Sequence, residues 1–372
     1  MITPLTDIEV TFVPHRYTRV AAGALLATLL VALFAAAPAL AGTVSVAGNT
    51  VTFADGSAPG APEANAVTFK PTPLGTQVLV SDPRAELHAG PGCTQDSGEH
   101  NSATCGALTP ATKVAADLGQ GDDQAVDDLT GGHSASFNGG PGDDILTGND
   151  AGDTLAGDDG ADSLSGGAGD DTLGGGAGGD EIDGDAGTDT ATYDDGRTSA
   201  VHVTLDGIGL DGAGCPDPAT CERDNVVTEN VAGGPGHDSL TGDDSANRLD
   251  GGDGDDRLSA AGGVDELNGD AGDDALLGGA GADALNGGDG IDTASYEDHQ
   301  QGVTAELGDI PLATTTGGGA EDDGGDAILG DVENLTGGPS NDALTGSSGD
   351  NVLSGGAGSD TLVGGDGADE LR

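Results

Sequence analysis

Aspartate returns every ninth residue through long stretches of this chain. Between Gly139 and Thr192 it stands at Asp144, Asp153, Asp162, Asp171, Asp180 and Asp189, with no residue gained or lost between copies. Each copy opens on a glycine, carries further small residues up to the aspartate in its sixth place, and has an aliphatic side chain in its eighth. The pattern resumes from Gly233 to Ser295 with Asp238, Asn247, Asp256, Asp265, Asp274, Asp283 and Asp292 in the sixth place. It returns from Gly337 to Arg372 with Asp342, Asn351, Asp360 and Asp369.

A carboxylate at the end of a glycine-rich loop is a hard anionic oxygen beside backbone carbonyls that glycine lets converge on one point. Oxygen-only donors in flexible number suit Ca²⁺; Mg²⁺ demands stricter octahedral geometry and holds its waters. Transition metals favour His or Cys, which the loops almost wholly lack. Asn247 and Asn351 keep an oxygen but lose the charge, so sites built on them are expected to bind more weakly.

The elements positioning these loops must be very short strands. The last three residues of a unit, such as Ile145, Leu146 and Thr147, leave one side chain facing inward. Burying one leucine contributes about 1.5–3 kcal/mol, whereas ordering each backbone residue costs about 1–2 kcal/mol. A nine-residue unit therefore cannot hold its fold by burial alone, and a cation in its loop is the expected missing contribution. Metal binding and folding should then be one event.

The nonapeptide resembles the hemolysin-type, or RTX (repeats-in-toxin), calcium-binding repeat. The resemblance covers seventeen units, fifteen with Asp and two with Asn in the sixth place. It implies an all-β chain built on a parallel β-roll solenoid with two units per turn. Calcium would sit between loops stacked two units apart, liganded by the sixth-place residues and loop carbonyls. Pairing units in this way within each block implies about 11 ions. Relatives exported in one step carry a carboxyl-terminal signal, whereas here Arg372 falls in the ninth place of a unit. Either the export route differs or the reading frame is truncated.

Composition fits this picture. The 372 residues include 71 glycines and only 2% aromatics, too little bulky material for ordinary compact cores. Sixty-six acidic residues against ten basic give a formal net charge of -56. Nucleic acid and anionic membrane surfaces are disfavoured partners. At the amino terminus, His15, Arg16 and Arg19 precede an apolar run from Val20 to Ala37, and Ala39–Ala41 has the small-x-small form of a cleavage site. Residues 1–41 are read as a secretory signal, which implies an extracellular or cell-surface protein without a membrane span after its removal. A retained anchor is the alternative. Cys93, Cys105, Cys215 and Cys221 allow three disulfide connectivities, with proximity favouring Cys93–Cys105 and Cys215–Cys221. A zinc site at Cys93 and Cys105 with His88 or His100 lacks any known ligand spacing.

The expected organisation is an N-terminal β region over 42–130, β-roll blocks over 131–192, 233–295 and 337–372, and β inserts over 193–232 and 296–336. Alternating pairs Val44/Val46, Val51/Phe53, Val67/Phe69 and Val78/Val80 mark strands in the first region, expected to cap the array. The acidic loop at Ala116–Asp123 anticipates the repeat without its phase. The inserts resemble each other: Val201–Leu205 matches Val303–Leu307, and Glu229–Val231 matches Glu333–Leu335. Tyr193 and Tyr296 are expected to close finished arrays.

Catalytic patterns are sparse. The seven histidines include no H-E-x-x-H pair. Gly132–Ser136 approaches a nucleophile elbow but ends in Ser and lacks an α/β context. Asp322, Asp326 and Glu333 suggest an EF-hand whose third and sixth places are spoiled by Gly324 and Ala327. The expected function is a secreted calcium-binding protein with a structural or surface role, no catalysis, and an extracellular or cell-surface partner of unknown identity. The alternative is an adhesin or hydrolase with its active part in 43–130, in the inserts or in a missing C-terminal region.

Overall fold

The computed structural model describes residues 42–55, 64–81, 87–89, 91–95, 102–109, 111–214, 221–308, 313–314, 316–317 and 325–372. The expected signal segment, Cys215 and Asp322 lie outside them. Every described element is a strand, and most strands pair in parallel. Within a block, each strand pairs with the strand 18 residues on: Leu146 stands opposite Leu164, Leu155 opposite Leu173, Leu164 opposite Ile182. Consecutive units fall in different sheets, so one turn holds two units and the roll is two-sided. The chemistry of the ninefold spacing explains this. A strand of three residues turns one aliphatic inward, and the glycines that follow reverse the chain within six residues.

The core is correspondingly thin. Leu146, Leu155, Leu164, Leu173 and Ile182 are all essentially inaccessible, and Leu240, Leu249, Leu258, Leu267 and Leu276 repeat the arrangement in the second block. At the second insert Tyr296 meets His299 edge-on with ring centroids 5.3 Å apart, and at the amino-terminal end Phe69 stacks on Phe137 at 5.7 Å. There Gly42–Ala47 and Thr50–Ala54 form an antiparallel hairpin across the expected turn, and Ala66–Pro71 pairs antiparallel with Val78–Ser81. Thr50–Ala54 then pairs in parallel with Lys113–Asp117, and Ala66–Pro71 with Gln124–Asp127, which lead directly into the first block. Cys93 and Cys105 face each other on antiparallel strands and form a disulfide, which removes both as thiolate ligands for zinc. Cys221 is also disulfide-bonded.

The two inserts are spliced into the roll. At the first, Thr190–Thr192 pairs with Asn230–Pro235, so a 14-stranded sheet runs straight past the inserted residues. On the opposite side one nine-stranded sheet ends at Asn225–Val227 and another begins, with Gly212–Ala213 at its edge followed by Val201–Thr204 beside Ser239–Thr241. At the second insert the roles exchange. Thr293–Ser295 continues into Asn334–Thr336, while the 14-stranded sheet ends near Ala327–Ile328 and a four-stranded sheet opens with Val303–Glu306. Tyr193 and Tyr296 are both buried at these joints.

Candidate metal centres

All seventeen sixth-place residues fall on one structural position, the last residue of the loop before each strand. The fourteen from Asp144 to Asp342, together with Asn351, are buried; Asp360 and Asp369 are half-buried. The fifteen aspartates share one hydrogen bond. Each accepts at Oδ1 from a backbone N–H of the preceding turn, over 2.6–3.1 Å. Eleven of these donors are themselves sixth-place residues 18 positions earlier, as in Asp144 N–H to Asp162 Oδ1 at 2.7 Å. The result is a ladder of carboxylates climbing each side of the roll. Asn247 and Asn351 differ: their Nδ2 groups donate to the carbonyls of Glu229 and Glu333, at 2.8 and 2.7 Å.

The second carboxylate oxygen is the informative one. Oδ2 of Asp144, Asp162, Asp171, Asp180, Asp189, Asp238, Asp256, Asp265, Asp274 and Asp292 is buried without a hydrogen-bond donor. Such an atom is costly to bury unless something positive meets it. The loops leave room for that something. A Cβ at the first-place Gly157 would strike both Asp162 Oδ2 and the carbonyl oxygen of Gly175, the first residue of the loop one turn on. Gly251 (with Asp256 and Gly269) and Gly269 (with Asp274 and Gly287) reproduce the arrangement. Glycine thus keeps open a small cradle into which a carboxylate oxygen and a carbonyl oxygen both point. Fourth-place glycines complete the stacking: a Cβ at Gly178 would fall on the Gly160 carbonyl oxygen.

The electrostatics agree with a site waiting for positive charge. Burial pushes the carboxyl of Asp162 up to about 7 and those of Asp144, Asp238, Asp256 and Asp274 up to about 6, with neighbouring carboxylates adding to the shift at all of these except Asp238. The backbone donor at Oδ1 opposes the shift without cancelling it. Among the described residues no three His, Cys, Asp or Glu side chains converge on one point. A cation held here would draw most of its ligands from backbone carbonyls, and such a donor set selects a hard ion.

Five ladder residues are not legible from the ninefold count. Asp123 donates its N–H to Asp144 Oδ1 across a separation of 21 residues, so the ladder begins one loop before the phased repeats. Asp224 and Asp326 accept from the N–H groups of Asp180 and Asp283, 44 and 43 residues away. Glu229 and Glu333 accept from Asp189 and Asp292, 40 and 41 residues away. Insertions hide the phase in every case. The only trace is the acidic residue two places before an inward aliphatic, as in Glu229 before Val231. Asp326 belongs to this ladder, and Gly132–Ser136 forms part of the loop and strand that open the first block.

A two-sided parallel β-roll whose turns stack buried carboxylates over open carbonyl cradles defines a calcium-binding repeat fold. The family comparison agrees: residues 130–164, 138–173, 156–191, 232–267, 259–294 and 336–371 match the RTX calcium-binding nonapeptide repeat. The chain thus carries RTX calcium-binding nonapeptide repeats in all three blocks. No curated protein matches the chain.

Proposed function

We propose that the chain is a secreted structural or surface protein, without catalysis, whose roll orders as its loops take up calcium. The observation that carries this reading is the set of ten buried Oδ2 atoms with no donor. Without a cation those carboxylates oppose folding through desolvation and mutual repulsion. Bound calcium supplies the positive charge that lets them remain ionised. The aspartates proposed as ligands are those of the ladder, joined by first-place carbonyls. Extracellular placement is supported by the amino-terminal pattern of Arg19, the apolar run and Ala39–Ala41, and by disulfide-bonded cysteines. Millimolar affinity suffices outside a cell.

The test is a calcium titration of the full chain followed by far-UV circular dichroism. A rise in β signal as calcium approaches millimolar levels, reversed by chelator and not reproduced by magnesium, is expected. An unchanged spectrum across the titration overturns the reading.

A further inference from the structure

The loops are of two kinds, and the difference lies in the second residue of each unit. In the majority that residue has positive φ: Gly140 at 92°, Gly167 at 104° and Gly234 at 90°, but also Asp158 at 73°, Asp185 at 65° and Asp270 at 69°. Residues with a Cβ seldom accept this conformation, so three aspartates in it mark a constraint on the loop and not a tolerance of glycine. In ten of the loops with the second residue so turned, the sixth-place Oδ2 is buried without a donor.

In four loops the second residue, Asn149, Asp243, Gly338 or Ser347, does not take up positive φ. Its N–H instead donates inside the loop, to Asp153 Oδ2 at 2.7 Å, Asn247 Oδ1 at 2.8 Å, Asp342 Oδ2 at 2.9 Å and Asn351 Oδ1 at 2.7 Å. These loops are closed on themselves. In two of them the remaining side-chain atom is also used, because Asn247 and Asn351 donate Nδ2 to Glu229 and Glu333 carbonyls. Their positions are systematic. The second unit of every block is closed, and in the third block the first unit is closed as well. A N–H directed at an oxygen presents positive charge where a cation would have to sit, and it takes up one of that oxygen's two lone pairs.

We infer that calcium is confined to the open loops, and that each block carries near its start, in its second unit, a closed, ion-free step in which a backbone N–H takes the place of the metal. The inference rests on the calcium reading above and divides its sites. Of the eleven steps within the blocks, the four that start on closed loops carry no ion, which leaves seven. The Glu229–Asn247 and Glu333–Asn351 junctions, where insert meets block, are then held by hydrogen bonds that calcium does not control.

The experiment counts ions bound to the full chain at saturating calcium, by equilibrium dialysis with radiolabelled calcium. Asn247→Ala should bind as many ions as the parent, whereas Asp256→Ala, in an open loop, should bind one fewer. Opening the closed loop with Asp243→Gly together with Asn247→Asp should add one ion. Loss of an ion in Asn247→Ala, or no gain in the double variant, overturns the inference while leaving calcium binding intact. Should the double variant fail to fold, the Asn247→Ala count decides alone. A parent chain that binds no calcium overturns the proposed function and this inference together.

Discussion

Asp162 accepts the N–H of Asp144 at Oδ1 over 2.7 Å, while its Oδ2 lies buried with no donor. One oxygen of the carboxylate builds the roll, and the other is the one proposed to meet a cation. Separating those two duties makes the site testable, because a substitution can remove one and keep the other.

Asp162→Asn keeps an acceptor for the Asp144 N–H and removes the charge. The metal-free fold should gain on the order of 1–2 kcal/mol, since a partly screened buried charge is no longer desolvated. The calcium-loaded chain should bind one ion fewer and need more calcium to reach half its β signal. Paired denaturant melts with and without calcium check both signs; destabilisation in both conditions would contradict the division of labour.

The pH dependence follows from the raised carboxyls. Burial lifts Asp162 to about 7 and Asp144 and Asp256 to about 6, above their ordinary value of 3.8. A carboxyl raised on folding favours the folded chain in its protonated form. Its contribution is fully present below pH 3.8 and is lost as pH rises through 6 to 7. The metal-free chain should therefore show its greatest order in acid and lose it between about pH 4 and 7. With calcium the sense reverses: protons compete for Oδ2, so the calcium midpoint should rise as pH falls through 6. Circular dichroism in chelator and in calcium, at low protein concentration, reads both.

Glycine substitutions separate stacking from backbone strain. Gly178→Ala would drive a Cβ onto the Gly160 carbonyl at φ +149, whereas Gly196 at φ +85 has nothing within 4 Å. Gly196→Ala should cost about 1 kcal/mol, the backbone penalty alone. Gly178→Ala adds overpacking of about 1–3 kcal/mol. Thermal unfolding at saturating calcium should rank the two in that order, and equal losses would show that the turns are not closely stacked.

Reducing the Cys93–Cys105 disulfide should destabilise the amino-terminal strands by about 3 kcal/mol, from the short loop it closes. The number of calcium ions bound should not change, because neither cysteine lies in the ladder. Ion counting with and without reductant checks this.

Much of the roll was legible because Leu146, Leu155, Leu164, Leu173 and Ile182 recur every ninth residue, with the two-unit turn supplied by the resemblance and seen in the pairing of Leu146 with Leu164 and of Leu164 with Ile182. The sixth-place aspartates were legible for the same reason. What counting could not reach was phase across insertions. Glu229 and Asp224 enter the ladder 40 and 44 residues after their donors, and a strand pairing fixes those offsets where composition does not. Nor could it separate open loops from closed ones. Asp158 and Asp243 are the same residue type in the same place, yet only Asp158 takes positive φ.

At each insert one sheet stops while the other runs on, through Thr190–Thr192 to Asn230–Pro235 in the first and Thr293–Ser295 to Asn334–Thr336 in the second. The joints are scarfed, as in carpentry, with no cut passing through both faces at once. A repeat array melts where neighbour coupling is weakest. Here the boundaries between blocks retain one unbroken face of backbone hydrogen bonds. Tension along the chain is therefore carried across each joint by the face that stays continuous.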